Sequence, residues 1–301
     1  MRFSVLDRAN AIGAASTTAD VLQGVIDHAR HVEALGFDRF LVAENHGVPG
    51  IPGTQPTMLA TAVGAGTRRI RVGTAGMMLP AHQPLIVAEQ IATLEALYPG
   101  RVDAGIGSSV GFTADVRASL RQGDPAELKK AYPSDLREML GHLDTDTPIW
   151  LLVGFRSVHL AAELGLGVIL GGPNQTDAAA LYRRAFRPGL IDAPQVIHSL
   201  NVAVADTTDA ARDLLLPEAW AQARARTTGV FKALLPVEEL PVPSDAERRR
   251  MAQTLEMAVW GTPRDVEKQL REMGEVLVTG GMSDLAGRAR SEELLAEMMK
   301  A

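Results

Sequence analysis

Short apolar runs alternate with amphipathic stretches from the first residues onward, and this alternation constrains the fold more than any other property of the chain. Runs of strand length bounded by turn residues read as buried strands, and stretches of helical period between them read as crossover helices. The strands are expected at Arg2–Leu6, Arg39–Ala43, Ile70–Thr74, Val102–Ile106, Ile149–Val153, Gly167–Leu170, Val196–Val204 and Glu275–Thr279. Helices are expected at Thr18–Leu35, Pro56–Ala65, Pro84–Leu97, Pro133–His142, Val158–Leu164, Thr176–Phe186, Thr208–Arg226 and Asp265–Met273, the last entered through Gly261-Thr262-Pro263. A final helix, Ser291–Met299, closes the sequence. Eight strand–helix units match a closed (β/α)8 TIM barrel, with a doubly wound open sheet as the alternative. A length of 301 residues suits one large barrel or two domains, and the absence of a composition break selects one domain over residues 1–301.

One stretch interrupts the rhythm. Thr227–Arg250 holds Pro236, Pro241 and Pro243 and is too long for an ordinary connection, so an excursion is expected near residues 227–250. It is either a surface loop or a lid over the barrel mouth.

Composition removes several function classes. There is no cysteine, which excludes disulfides, thiolate metal sites and a cysteine nucleophile, and agrees with a reducing cytoplasm. With 36 acidic against 30 basic side chains the net charge is −6, which argues against a nucleic-acid groove. No basic segment precedes an apolar stretch at the start, and no run approaches the roughly 18 apolar residues of a membrane helix, so a soluble, unexported protein with no membrane partner is expected.

In a barrel of this kind chemistry gathers on the loops that follow the strands. Five of these carry unusual residues: Glu44-Asn45-His46-Gly47, Thr74-Ala75-Gly76-Met77-Met78, Gly105-Ile106-Gly107-Ser108-Ser109, Gly154-Phe155-Arg156-Ser157 and Gly171-Gly172-Pro173-Asn174. The glycines let a flat ligand approach the backbone, and Glu44, Asn45, His46, Ser108, Arg156 and Ser157 supply polar handles. Gly154–Ser157 leads into a helix whose free N–H groups favour an anion, with Arg156 adding a charge-assisted contact; the alternative is that Ser157 only caps the helix. Gly105-Ile106-Gly107 is not a dinucleotide fingerprint, because the third glycine would have to stand at Val110.

Seven histidines show no metal-ligand spacing. His28 and His31, three apart on an amphipathic helix, read as a surface pair. His82 either reaches the mouth or caps a helix, and His46 is the histidine placed best for chemistry. No serine sits in a GxSxG elbow, so hydrolysis has little support.

The segments FDRFLVAE (37–44), RIRVGTAGMMLP (69–80), VAEQIATLEAL (87–97) and PGRVDAGIG (99–107) resemble those of bacterial luciferase-like flavin monooxygenases. The resemblance continues through PIWLLVGFRSVHLAAELGL (148–166), VWGTPRDVEKQLREM (259–273) and 275–280, and so covers nearly the whole chain. It implies a TIM barrel, often dimeric as a homodimer or heterodimer, acting with reduced FMN and dioxygen on a small organic substrate, in specialised metabolism among other settings. With no nicotinamide fingerprint here, a separate flavin reductase is the expected source of reduced FMN. Some relatives use a deazaflavin for hydride transfer instead. The resemblance sets the Ala75–Gly76 bond at a family bulge, often with a non-proline cis peptide, against the flavin ring, Gly107 close to that ring, and Gly154 to Ser157 in the phosphate-binding turn.

The departures carry information too. Where the family often has Glu-His-His, this chain has Glu44-Asn45-His46, so Asn45 replaces the histidine tied to catalysis in luciferases. Ser108 stands where many relatives place arginine, and Val153-Gly154-Phe155 replaces a Gly-Ser-Ser turn, with Arg156 one position later. Either Arg156 supplies the phosphate charge, or flavin binding is weakened or lost and the chain is a non-catalytic partner subunit.

Overall fold

In the computed structural model, which describes residues 1–155 and 157–300, the expected ring of parallel strands closes. Its members are β1 (Arg2–Asp7), β2 (Arg39–Val42), β3 (Arg71–Met78), β4 (Val102–Gly107), β5 (Ile149–Val153), β6 (Gly167–Gly171), β7 (Val196–Val204) and, last in the chain, β9 (Glu275–Thr279). Every neighbouring pair is parallel, and the ring shuts through β6–β7, β7–β9 and β9–β1, with Val168 beside Val196, His198 beside Val276 and Val5 beside Val278. Closure leaves no open edge and rules out the doubly wound sheet. A short strand absent from the sequence reading, β8 (Val259–Gly261), pairs with the far end of β7, Val202 beside Val259. Three residues carry too little alternation to announce themselves.

Period-two alternation divides each strand between two cores. Outward residues such as Phe3, Val5, Phe40, Val72, Val202 and Val276 pack against the surrounding helices. Inward residues Leu41, Ala75, Trp150, Ile169, Ile197 and Leu277, joined by Leu6 and Leu152, fill the barrel itself. Below them lies a buried polar plug: Arg39 donates to Asp103 at 3.1 Å and to Glu275, Trp150 Nε1 donates to Asp103 at 2.9 Å, and Ser4 donates to Glu275 at 2.8 Å. The plug fills the barrel interior at its N-terminal end.

Helices α1 (Thr18–Leu35), α2 (Pro56–Gly66) and α3 (Pro84–Leu97) occupy the expected stretches. Thr17 and Asp20 form a capping box at the start of α1, and Gly36, with φ 90°, ends it. A six-residue helix missed by the sequence reading, α4 (Ala114–Ser119), follows β4, and α5 runs over Pro125–His142 rather than starting at Pro133. Asp124 caps α5 and Pro125 takes its first turn, while Pro133 lies inside the helix, tolerated because Tyr132, Leu136 and Met139 bury on one face. After β5 and β6 come α6 (Val158–Leu164) and α7 (Thr176–Ala185).

The expected excursion is shorter than 227–250. Helix α8 (Thr208–Thr228) continues to Gly229, and α9 (Asp245–Glu256) begins at a Ser244–Glu247 capping box hidden by the surrounding prolines. The stretch between them is stitched down: Leu234 N–H donates to Ala11 O at 2.8 Å, Gly13 N–H to Leu234 O at 2.7 Å, and Gly50 N–H to Phe231 O at 3.0 Å. It therefore braces the loops after β1 and β2. Helix α10 (Pro263–Leu270) and α11 (Leu285–Lys300) complete the chain, α11 starting earlier than Ser291 because the Asp284 carboxylate accepts the Gly287 N–H at 2.9 Å.

Candidate active site at the barrel mouth

Glu44 leaves the end of β2 and turns into protein, with a relative exposure of 5%. Its Oε2 accepts the backbone N–H of Met78 at 2.6 Å, which ties the β2 loop to the end of β3. Its Oε1 lies 2.6 Å from His46 Nε2 and 2.7 Å from His82 Nε2. The 3-10 turn Leu79–Ala81, closed by the His82 N–H on Leu79 O at 3.0 Å, delivers His82 to that oxygen. Burial alone would raise the Glu44 carboxyl, but the hydrogen bonds and charge of His82, the Met78 N–H and the bond to His46 together hold it below the ordinary glutamate value. An ionised carboxylate only accepts, so both imidazoles donate to it from Nε2.

The same three side chains are the one group among the described residues whose ligand atoms lie within 4.8 Å of one another, a grouping invisible in the sequence because His82 is 38 residues from Glu44. Spacings of 2.6 and 2.7 Å are hydrogen-bond distances. Ligands about 2.1 Å from a tetrahedral zinc would stand roughly 3.4 Å apart, so the observed arrangement is a shared-carboxylate pair of imidazoles.

The floor beside this cluster is backbone. The Ala75–Gly76 peptide is cis, and the β3–β4 register shifts between Ala75 and Met77. A Cβ on Gly76 would meet Gly105 O at 2.7 Å, and one on Gly105 would meet Thr74 O at 2.4 Å, so these glycines are demanded by the close approach of two strands. Further up, a Cβ on Gly107 would meet only Met77 O at 3.7 Å, and one on Gly154 or Gly171 would meet nothing within 4 Å. These glycines border open space at the mouth. Asn45 Nδ2 is buried there with no hydrogen-bond partner, and a buried donor left unpaired is costly unless a ligand accepts from it.

Ser108 is half-buried just past β4, and Ser157 is exposed at the start of α6 with no capping bond from its hydroxyl. The Ser157 N–H instead closes a turn on Gly154 O at 2.9 Å. Arg156 lies outside the described residues. Thus Glu44, Asn45, His46, Ala75, Gly76, Gly107 and Ser108 surround one mouth with Gly154 and Ser157 on its β5 side, and His82 joins them. The residue types fit a flavin: a glycine-bordered cradle for a flat ring, an orphaned amide donor for a ring or substrate acceptor, and a helix start with an unused hydroxyl.

The paired histidines of α1 do not form the expected surface couple. His28 is buried at 6% exposure, its Nδ1 2.6 Å from Asp7 Oδ2 and its Nε2 2.6 Å from Glu292 Oε1. Helical spacing identified the shared face, but only the docking of α11 shows that this face is covered.

The luciferase-like monooxygenase family profile matches residues 1–133. The uncharacterized protein YvbT of Bacillus subtilis (strain 168) is 30% identical, aligned over 94% of this chain and 93% of its own length. A luciferase-like monooxygenase of Escherichia coli (strain K12) is 29% identical over 98% of this chain and 96% of its own. Among solved structures, apo-MsnO8 superposes with a TM-score of 0.87 at 30% identity, covering 99% of this chain and 98% of that one.

Proposed function

The chain belongs to the luciferase-like monooxygenase family, and from that premise we propose that it is an oxidoreductase that uses reduced FMN and dioxygen to oxygenate a small organic molecule. The observation that carries the reading is the unpartnered Asn45 amide between Glu44 and His46, two members of the cluster that His82 completes, at a glycine-bordered mouth. In this reading Ala75, Gly76 and Gly107 would lie against the ring, Ser108, Gly154, Arg156 and Ser157 would hold the phosphate, and Asn45 would donate to a ring or substrate oxygen. When bound, the reduced flavin supplies the electrons that activate dioxygen.

The protein's own contribution is orientation and proton handling. Glu44, anchored by the Met78 N–H, holds both imidazoles at Nε2. Either Nδ1 can then take a proton from a bound substrate, and the imidazolium formed is stabilised by the carboxylate on its opposite nitrogen. Asn45 has no titratable proton, so this duty falls to His46 and His82. Reduced FMN would come from a separate reductase, and the working unit would be a cytoplasmic homodimer or heterodimer with residues 1–301 as one domain.

The test is a titration of the purified protein with FMN, riboflavin and a deazaflavin in both redox states, followed by oxygen uptake with a flavin reductase and candidate substrates. FMN binding tighter than riboflavin, with substrate-dependent oxygen uptake, is the expected result. Preference for the deazaflavin would move the reading to hydride transfer, and no binding of any of them would identify a non-catalytic partner subunit.

A further inference from the structure

Ring order sets two strands face to face. Around the barrel β7 lies four strands from β3 in either direction, so its inner surface looks across the mouth at the Ala75–Gly76 peptide. Ile197 belongs to the interior cluster, and alternation turns Ser199 and Asn201 inward above it. Register agrees: Ser199 lies beside Leu277 of β9, itself an interior residue, and beside Gly171 of β6, while Asn201 lies beside Thr279. Ser199 and Asn201 are half-buried, and their side chains make no hydrogen bond among the described residues.

Space remains next to them. A Cβ on Gly171 would meet nothing within 4 Å, although Gly171 is in register with Ser199. Farther out, Met257 Cε stands 3.2 Å from where a Cβ on Gly172 would lie, and Leu215 of α8 comes as close as 3.5 Å to a Cβ on Gly280, with Asn201 at 3.7 Å. The gap therefore has an apolar border, to which Leu6 and Leu152 add from the barrel interior.

The charge of this side is the informative property. The segments that build it, 167–175, 196–204 and 276–281, contain no Asp, Glu, Lys or Arg. Their one histidine, His198, alternates outward with Val196 and Leu200 and is buried. Arg8, on the loop after β1, is already paired with Glu218, and Glu44, His46 and His82 stand on the β2–β3 side. An ion placed against β7 would lose water without gaining a counter-charge. A hydroxyl and an amide, by contrast, can each donate to an uncharged oxygen.

We infer that Ser199 and Asn201 are specificity-determining residues of the mouth, and that the substrate is an uncharged molecule with an apolar body and a carbonyl or hydroxyl oxygen directed at β7. This rests on the reading that a flavin ring lies against Ala75–Gly76, because the substrate then fills the gap between the open face of the ring and β7.

The experiment is calorimetric titration of the full-length protein with FMN, and then of the FMN-loaded protein with 1-indanone, indane and sodium indane-1-carboxylate, which share one body and differ in the oxygen group. The ketone should bind once per chain, at least about tenfold tighter than the carboxylate. Ser199→Ala and Asn201→Ala should each weaken the ketone about fivefold and leave indane and FMN unchanged. Gly171→Val is the second variant: its position lies in a strand outside the left-handed region and has room for a side chain. It should weaken ketone and indane alike while the unfolding midpoint and the FMN affinity are kept. A wild type that binds no FMN would overturn the flavin reading and this inference with it. FMN binding accompanied by equal affinity for ketone and carboxylate, by no ketone binding at millimolar concentration, or by no effect of Ser199→Ala and Asn201→Ala on the ketone would overturn this inference alone.

Discussion

Two glycines of one strand separate the needs of the fold from those of a ligand. Gly105 sits where a Cβ would press to 2.4 Å from Thr74 O, whereas at Gly107 it would meet only Met77 O at 3.7 Å. Gly105→Ala should therefore cost about 2–4 kcal/mol in urea unfolding, since backbone has to move. Gly107→Leu should leave the unfolding midpoint nearly unchanged and weaken FMN by at least about tenfold, because its side chain enters the mouth. Weakened binding only in proportion to lost stability would remove the ring from this strand. The cluster makes a separate demand: Glu44→Gln keeps an acceptor for Met78 N–H but removes the charge that supports an imidazolium. Steady-state assay should show kcat/KM lowered by about a hundredfold with flavin affinity preserved.

At the scale of elements, local signals worked where a helix carries its own start and stop. Helix α1 has a capping box before it and a left-handed glycine after it, which makes its limits readable, and the start of α3 is marked by Pro84 in its first turn. Helix α5 was misread because Pro133 imitates a start signal while the actual one, Asp124-Pro125, stands a little over two turns earlier. A proline at that depth removes an N–H and crowds the preceding turn, at a cost of about 3 kcal/mol in an ideal helix. Pro133→Ala should raise the melting temperature by several degrees, observable by circular dichroism; an unchanged or lowered value would mean that the proline ring is needed for packing.

The whole molecule closes its ring by docking the last helix against the first, and a buried charged triad marks the seam. Burial alone would lower His28, but the charge of Glu292 and the bonds to Asp7 and Glu292 outweigh it and the opposing Arg288, and its pKa is raised above 6.5. Asp7 moves the other way: burial raises it, yet the bond and charge of His28, helped by Arg288 and the Ala9 N–H, bring it from 3.8 to about 2. The His28 contribution is complete below about 6.5 and disappears as pH rises through its folded value. The Asp7 contribution is complete above about 3.8 and disappears as pH falls toward 2. Stability from the triad should peak between about pH 4 and 6.5, and urea unfolding of the wild type should show a loss on the alkaline side that is absent in His28→Gln. An equal alkaline loss in that variant would assign the effect to other groups.

Much of the barrel was legible because its causes are local. Strand alternation, glycine and proline punctuation and capping residues act over a few positions, and they determined the eight parallel strands, most of the helices, and which loops meet on one face. Loop position also brought Glu44, Asn45, His46, Ala75, Gly76 and Gly107 to the same mouth. What only the tertiary structure decided depends on residues far apart in the chain. His82 reaches the carboxylate of Glu44 across 38 residues, and His28 is closed in by Glu292 across 264. The stretch after Gly229 is held by backbone bonds to Ala11, Gly13 and Gly50. A sequence pattern can state that a side chain faces inward, because that is a matter of period. It cannot state which partner waits there, since a buried charge is satisfied by whichever distant group the closed ring brings within hydrogen-bond reach.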